Sequence, residues 1–226
     1  MTSANVRVLT AILGLVTANF AHGSDAKRFW CGSRDFPNEQ RALQLATFSG
    51  PAGETLPIYF DGETCPSEPA SCRQQAHAMP GEELIVNHVE NGWACAWYQG
   101  PKSEAAGWVR VGKLAFQHVE QGEGMARWIG TWSFYENVIV ISRKDDYSLR
   151  VDGRATWVGP ITNGERVTHA GAIEGDLRPA ANHAHYSDKD DDCTADLSQI
   201  GRYMIVADKG HCGGMNVSFN GVYVRR

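Results

Sequence analysis

Residues 83–98 read Glu83-Leu84-Ile85-Val86-Asn87-His88-Val89-Glu90-Asn91-Gly92-Trp93-Ala94-Cys95-Ala96-Trp97-Tyr98. Two apolar-rich runs, Glu83 to Val89 and Trp93 to Tyr98, flank Glu90-Asn91-Gly92. Asn-Gly is a strong hairpin signal because both residues tolerate positive φ. The stretch predicts an antiparallel strand pair, with Trp93, Cys95 and Trp97 alternating onto one face. Working outward, Leu56 to Phe60 reads as a strand opening after Pro51 and Gly53, and Gly107 to Val111 as another. Gln99 to Lys102 is a turn between strands. Residues 61–80, rich in Pro, Ser and Cys, read as one long loop. Gln40 to Thr47 reads as a short helix.

The downstream half has the same character. Trp128 to Trp132 and Asn137 to Ser142 are strand-like, and Asp145-Asp146 turns into Tyr147 to Val151. Asp152-Gly153 reads as a second hairpin turn, leading into Arg154 to Val158. Arg166 to Ile173, Gln199 to Val206 and the alternating Met215 to Val224 complete the set. The polar, Gly-containing Phe116 to Arg127 separates the halves. We therefore expect a first module at 22–117, a linker at 118–127 and a second module at 128–226. Both are β, the second a small antiparallel barrel or sandwich.

The N-terminus has the order of a secretory signal at residues 1–21: Arg7, the uncharged run Val8 to Val16, then small residues before Ala18 and Ala21. The run is too short for a helix to cross a bilayer, and no later segment approaches the ~20 apolar residues a span requires. Export predicts a periplasmic or secreted protein. Six cysteines follow the signal, and an even count in an exported chain implies three disulfides. Local closure suggests Cys65–Cys72 and Cys193–Cys212, leaving Cys31–Cys95. The net charge is −5, and −6 once residues 1–21, with Arg7 and no acid, are removed. A mildly acidic chain without a basic run argues against nucleic acid as a partner.

The residues Leu56-Pro57-Ile58-Tyr59, Met79-Pro80-Gly81-Glu82-Glu83-Leu84-Ile85-Val86, Asn91-Gly92-Trp93-Ala94-Cys95-Ala96-Trp97 and Gly107-Trp108-Val109 fall in an order that resembles the bacterial SH3-type domain. The resemblance covers residues 54–115 and departs at the cysteine-pinched loop 61–80. It implies a small barrel with a surface groove, in which Tyr59, Trp93, Tyr98 and Trp108 are the expected ligand-binding aromatics. In the second module, Gly130-Thr131-Trp132 and Arg225-Arg226 resemble the lipocalin pattern, in which a terminal Arg covers the first-strand Trp. The tail Cys212 to Tyr223 is similar to those of exported bacterial proteins, some related to periplasmic lysozyme inhibitors. Together these imply a non-catalytic cell-envelope protein that binds peptidoglycan or a cell-wall-degrading enzyme.

Catalytic readings are weaker. Asp192-Cys193-Thr194-Ala195-Asp196-Leu197 resembles the nucleophile segment of papain-like cell-wall endopeptidases, but only 33 residues follow Cys193, with His211 the sole histidine. His211-Cys212-Gly213 has the wrong order for an L,D-transpeptidase. A cell-wall hydrolase with another active site is the alternative function, and nothing selects a carboxylate pair for it among 26 acids. His183, His185, Asp188, Asp190 and Asp192 offer metal donors at spacing two, yet the calcium-loop Gly and Glu positions hold Cys193 and Gln199. No cofactor motif is present, so neither a cofactor nor a metal is expected. An inhibitor would present a loop, and 61–80 and 183–192 are the expected ones.

Overall fold

The computed structural model describes residues 30–33, 36–38, 43–100, 104–119, 124–162, 164–190, 192–209 and 211–226. The signal segment 1–21 and the start of the expected helix lie outside them. The chain is all-β. Its first sheet contains β1 (Gln44–Phe48), β2 (Leu56–Tyr59), β3 (Arg73–Ala78), β4 (Glu83–Glu90), β5 (Trp93–Gln99), β6 (Glu104–Arg110) and β7 (Leu114–Phe116). They are ordered β3-β2-β6-β5-β4-β1-β7. The opening hairpin forms as β4 and β5, with Asn91 at φ 50° and Gly92 at φ 80° in its turn. Cys95, Trp93 and Trp97 enter one core, while Ala94, Ala96 and Tyr98 enter another on the opposite face.

Two expectations in this half are corrected. Gln44 to Thr47 is strand, not helix: β1 pairs with β4 on one side and β7 on the other. A strand held on both edges satisfies its backbone through partners far away in sequence, and that overrides a local helical preference. The 61–80 segment is only partly loop, since Arg73–Ala78 forms β3 against β2.

The second sheet contains β8 (Gly130–Phe134), β9 (Asn137–Arg143), β10 (Leu149–Thr162), β11 (Glu165–Leu177), β12 (His183–Asp188), β13 (Cys193–Ile200), β14 (Tyr203–Asp208) and β15 (Gly221–Arg225). Each strand pairs with its sequence neighbour, and β15 returns to β8. The result is a nearly closed up-and-down barrel with a seam between β11 and β12. There Tyr186 Oη accepts from Glu174 N at 3.1 Å and donates to Glu174 O at 3.3 Å, replacing part of the missing ladder. The interior is filled by side chains including Trp132, Ile139, Leu197, Phe219 and Tyr223. Arg225 lies 4.6 Å from the Trp132 ring centroid, and Trp132 Nε1 donates to Trp128 O at 2.9 Å.

Three further expectations fail in the barrel. Asp152-Gly153 is not a turn but lies within β10, flanked by β9 and β11. The glycine serves close packing: a Cβ on Gly153 would meet Ile173 Cγ1 at 2.5 Å. The expected Gln199 to Val206 strand is broken by a turn with Gly201 at φ 54°. Met215 to Asn220 is not strand. The Asp208 carboxylate accepts from Phe219 N and Ser218 Oγ, and Asn216 sits at φ 64°, so this segment folds around a buried acid.

The three disulfides are Cys31–Cys95, Cys65–Cys72 and Cys193–Cys212, the pairs expected above. No helix among the described residues is long and apolar enough to cross a membrane. The sheets share a core: Ile200, Tyr203, Ile205 and Val222 from the barrel pack with Ile85, Trp97 and their neighbours. Within the expected linker, Val119 packs against this core and Met125–Arg127 forms a short 3-10 turn.

Candidate functional site

The four expected aromatics are all buried: Tyr59 is 3%, Trp93 8%, Tyr98 3% and Trp108 2% exposed. Tyr59 and Trp93 meet edge-on with centroids 4.9 Å apart, and Trp108 joins the same core. Tyr98 points to the opposite face, where its hydroxyl donates to Glu82 Oε2 at 2.5 Å. They do not form one platform. The Arg110 guanidinium covers Trp93 at 3.8 Å, and Arg73 lies 5.8 Å from the Tyr59 ring. The Cys65–Cys72 loop lays Glu68 over this cluster, where it accepts from Arg110 Nε at 2.8 Å and Tyr59 Oη at 3.2 Å. The expected aromatic groove is thus occupied by the chain itself.

The Arg110 hydrogen bonds hold the Glu68 carboxyl below the ordinary glutamate range, with smaller help from Tyr59 and Arg73. A depressed carboxyl contributes its stabilisation above the ordinary glutamate pKa and loses it as pH falls through the lower folded value. We expect Glu68 to titrate lower than an unpaired glutamate, and Arg110→Ala to bring it back, read by carboxyl chemical shifts. An unshifted Glu68 in the parent protein would refute the cap.

Exposed apolar groups lie elsewhere. β9 pairs with β10 only over Leu149–Arg154, but β10 and β11 run on together to Thr162 and Glu165. Past Arg154, this two-stranded ribbon projects beyond the β9 edge. It exposes Val158 (47%), Ile161 (62%) and Val167 (54%), with Met215 (73%) beside it. Its turn has Gly164 at φ 81°. The sequence contains Asn163-Gly164 here, the same hairpin signal as Asn91-Gly92.

The ribbon has a firm base. Trp157 and His169 stack at 5.3 Å, and His169 Nδ1 lies 2.5 Å from Met215 O. The segment holding Cys212 lies so close to β11 that a Cβ on Gly171 would meet Cys212 O at 2.3 Å. The Cys193–Cys212 bridge ties that segment to β13.

Because the barrel is a meander, the turns after β10 and β12 lie at the same end. The turn after β12 carries Asp190 and Asp192 next to Asp188, whose Oδ1 accepts from Asp190 N. Asp188 lines a cleft with Ala170, Gly171 and Ala172, so the acidic turn stands beside the base of the ribbon. The expected inhibitory loop 183–192 is mostly strand with a tight turn, and 61–80 is folded over the first sheet, so neither projects as the ribbon does.

His183 and His185 occupy the outer face of β12, on the same side. No group of three His, Cys, Asp or Glu among the described residues could hold a metal ion. All six cysteines are in disulfides, so no thiol remains for nucleophilic chemistry.

Comparison with known proteins gives no relative. The chain matches no family model, no curated protein and no solved structure.

Proposed function

We propose that this is an exported, non-catalytic binding protein that engages a cell-wall-degrading enzyme through the β10–β11 ribbon and blocks it. The observation that carries the reading is the ribbon: exposed Val158, Ile161 and Val167 on a two-stranded projection anchored to a disulfide-braced barrel. Exposed apolar side chains gathered on a projecting element are typical of a surface that is covered by a partner. A preformed ribbon also loses little entropy when it enters a cleft. The acidic turn at the same end complements a basic enzyme. Three disulfides suit an oxidising compartment and thus export. Burial of Tyr59, Trp93, Tyr98 and Trp108 favours a protein target over peptidoglycan, which would need their ring faces.

The test is inhibition of lysozyme-type cell-wall hydrolases, followed by clearing of a bacterial cell-wall suspension. Inhibition is expected to saturate at one chain per enzyme. The V158D/I161D double variant is expected to weaken it at least about 30-fold, the loss of one binding hot spot of about 2 kcal/mol. Its melting temperature should match the parent, because both side chains already face solvent. Full inhibition by the double variant would remove the ribbon from the reading. Co-sedimentation with peptidoglycan without any effect on the enzymes would replace the target.

A further inference from the structure

The outer face of β12 and β13 carries a second arrangement, independent of the ribbon. A cleft of about 490 Å³ is lined there by Arg178, His183, His185, Asp196 and Ser198, with Pro37 and Asn38 as its other wall. That wall is tied to the first sheet, since Asn87 Nδ2 donates to Phe36 O at 3.2 Å. The polar residues sit in a cross-strand grid: His183 is opposite Ser198, and His185 is opposite Asp196. His183 Nδ1 lies 2.8 Å from Ser198 Oγ, and His185 Nδ1 donates to Asp196 Oδ1 at 2.7 Å.

Both imidazoles are thus oriented through Nδ1, and neither Nε2 has a partner among the described residues. Arg178 likewise makes no hydrogen bond or ion pair there. A ring nitrogen held by the protein fixes the orientation of the other nitrogen, a device used wherever an imidazole must meet a ligand. Three nitrogen groups without partners among the described residues therefore line one concave site.

We infer that this cleft binds an oxyanion, the carboxylate or phosphate group of a small ligand or of a chain terminus. A metal fits less well. No group of three His, Cys, Asp or Glu among the described residues could hold a metal ion there. An oxyanion can accept a hydrogen bond from each imidazole, and Arg178, which lines the same cleft, supplies further donors.

The proton inventory follows from the partners. Ser198 Oγ–H can donate to His183 Nδ1, which leaves a neutral Nε2–H for the ligand. His185 gives its Nδ1–H to Asp196, so Nε2 must take up a proton before it can donate. The charged and titratable groups lining the cleft are Arg178, His183, His185 and Asp196; the opposite wall contributes Pro37 and Asn38, and β14 contributes Ala207. Oxyanion binding at His185 Nε2 therefore takes up a proton and tightens as pH falls.

The experiment follows the histidine Cε1–H resonances of the purified protein during titration with inorganic phosphate and, separately, with N-acetylglycine. Saturable shifts at millimolar ligand are expected. R178Q and H185Q should each weaken binding about tenfold, the scale of one charge-assisted hydrogen bond. R154Q, at the base of the ribbon, should not. N-acetylglycine stays ionised near neutrality, so its affinity isolates the protein's proton, and it should bind more tightly as the pH is lowered. Tighter binding of phosphate assigns a phosphorylated ligand, and tighter binding of N-acetylglycine assigns a carboxylate. Shifts that never saturate, or affinities unchanged in both R178Q and H185Q, would overturn the site.

Discussion

Replacing Tyr203 by alanine is expected to lower the unfolding free energy by about 3–5 kcal/mol, the range for removing a large buried aromatic. Tyr203 opens β14 but is 2% exposed, because it projects into the core shared with the first sheet. Its ring meets Trp97 edge-on at 5.8 Å, and its hydroxyl donates to Glu83 Oε2 at 3.1 Å. Arg202, on the adjoining turn, donates to the same hydroxyl at 2.8 Å and reaches Glu83 at 3.3 Å. Alanine would leave a cavity between the sheets and remove the group joining Glu83 to Arg202. Tyr203→Phe, which keeps the ring, should cost only about 1 kcal/mol, the net worth of a typical hydrogen bond. Denaturant unfolding followed by tryptophan fluorescence would separate the two substitutions. If this core couples the sheets, the alanine variant should also broaden or split the transition, since Trp97 and Trp132 lie in different sheets. A loss below about 1 kcal/mol for alanine would show that the shared core is not cohesive.

Sequence reading succeeded where local chemistry dominates. Asn91-Gly92 forces a tight turn whatever surrounds it, and alternation then assigns Cys95 and Ala96 to opposite cores. It failed where distant partners decide. Asp152-Gly153 has the composition of a turn, but strands on both sides extend past it and need the glycine for Ile173. Leu45 and Ala46 favour a helix until β4 and β7 are placed beside them. The aromatic candidates illustrate the same limit. Tyr59 and Trp93 do sit together, but nothing local announces that Arg110 and Glu68 will cover them. His183 and His185 were legible as a same-side pair; Asp196 and Ser198 became their partners only through the β12–β13 register. The ribbon was legible in principle at Asn163-Gly164, and its exposure depends on β9 ending early.

Removing the Cys31–Cys95 bridge should have the largest effect among the three disulfides. It joins residues 64 apart, against 19 for Cys193–Cys212 and 7 for Cys65–Cys72. If the bridges act by restricting the unfolded chain, their losses should rank at about 4, 3 and 2 kcal/mol respectively. The native contacts point the same way. Cys31 is 1% exposed, its amide donates to Asp61 Oδ2 at 2.5 Å, and Cys95 is a buried residue within β5. The following turn buries Phe36, whose carbonyl accepts from Asn87 Nδ2, so losing the bridge also loosens the wall of the histidine cleft. The measurement is denaturant unfolding of C31A/C95A, C193A/C212A and C65A/C72A beside the parent. Replacing both cysteines in each pair avoids an unpaired thiol that could exchange with the remaining bridges. The expected order is C31A/C95A least stable and C65A/C72A nearest the parent. A larger loss for C65A/C72A would mean that this loop holds the first sheet together through Glu68 and Arg110, and that native contacts rather than chain entropy govern stability.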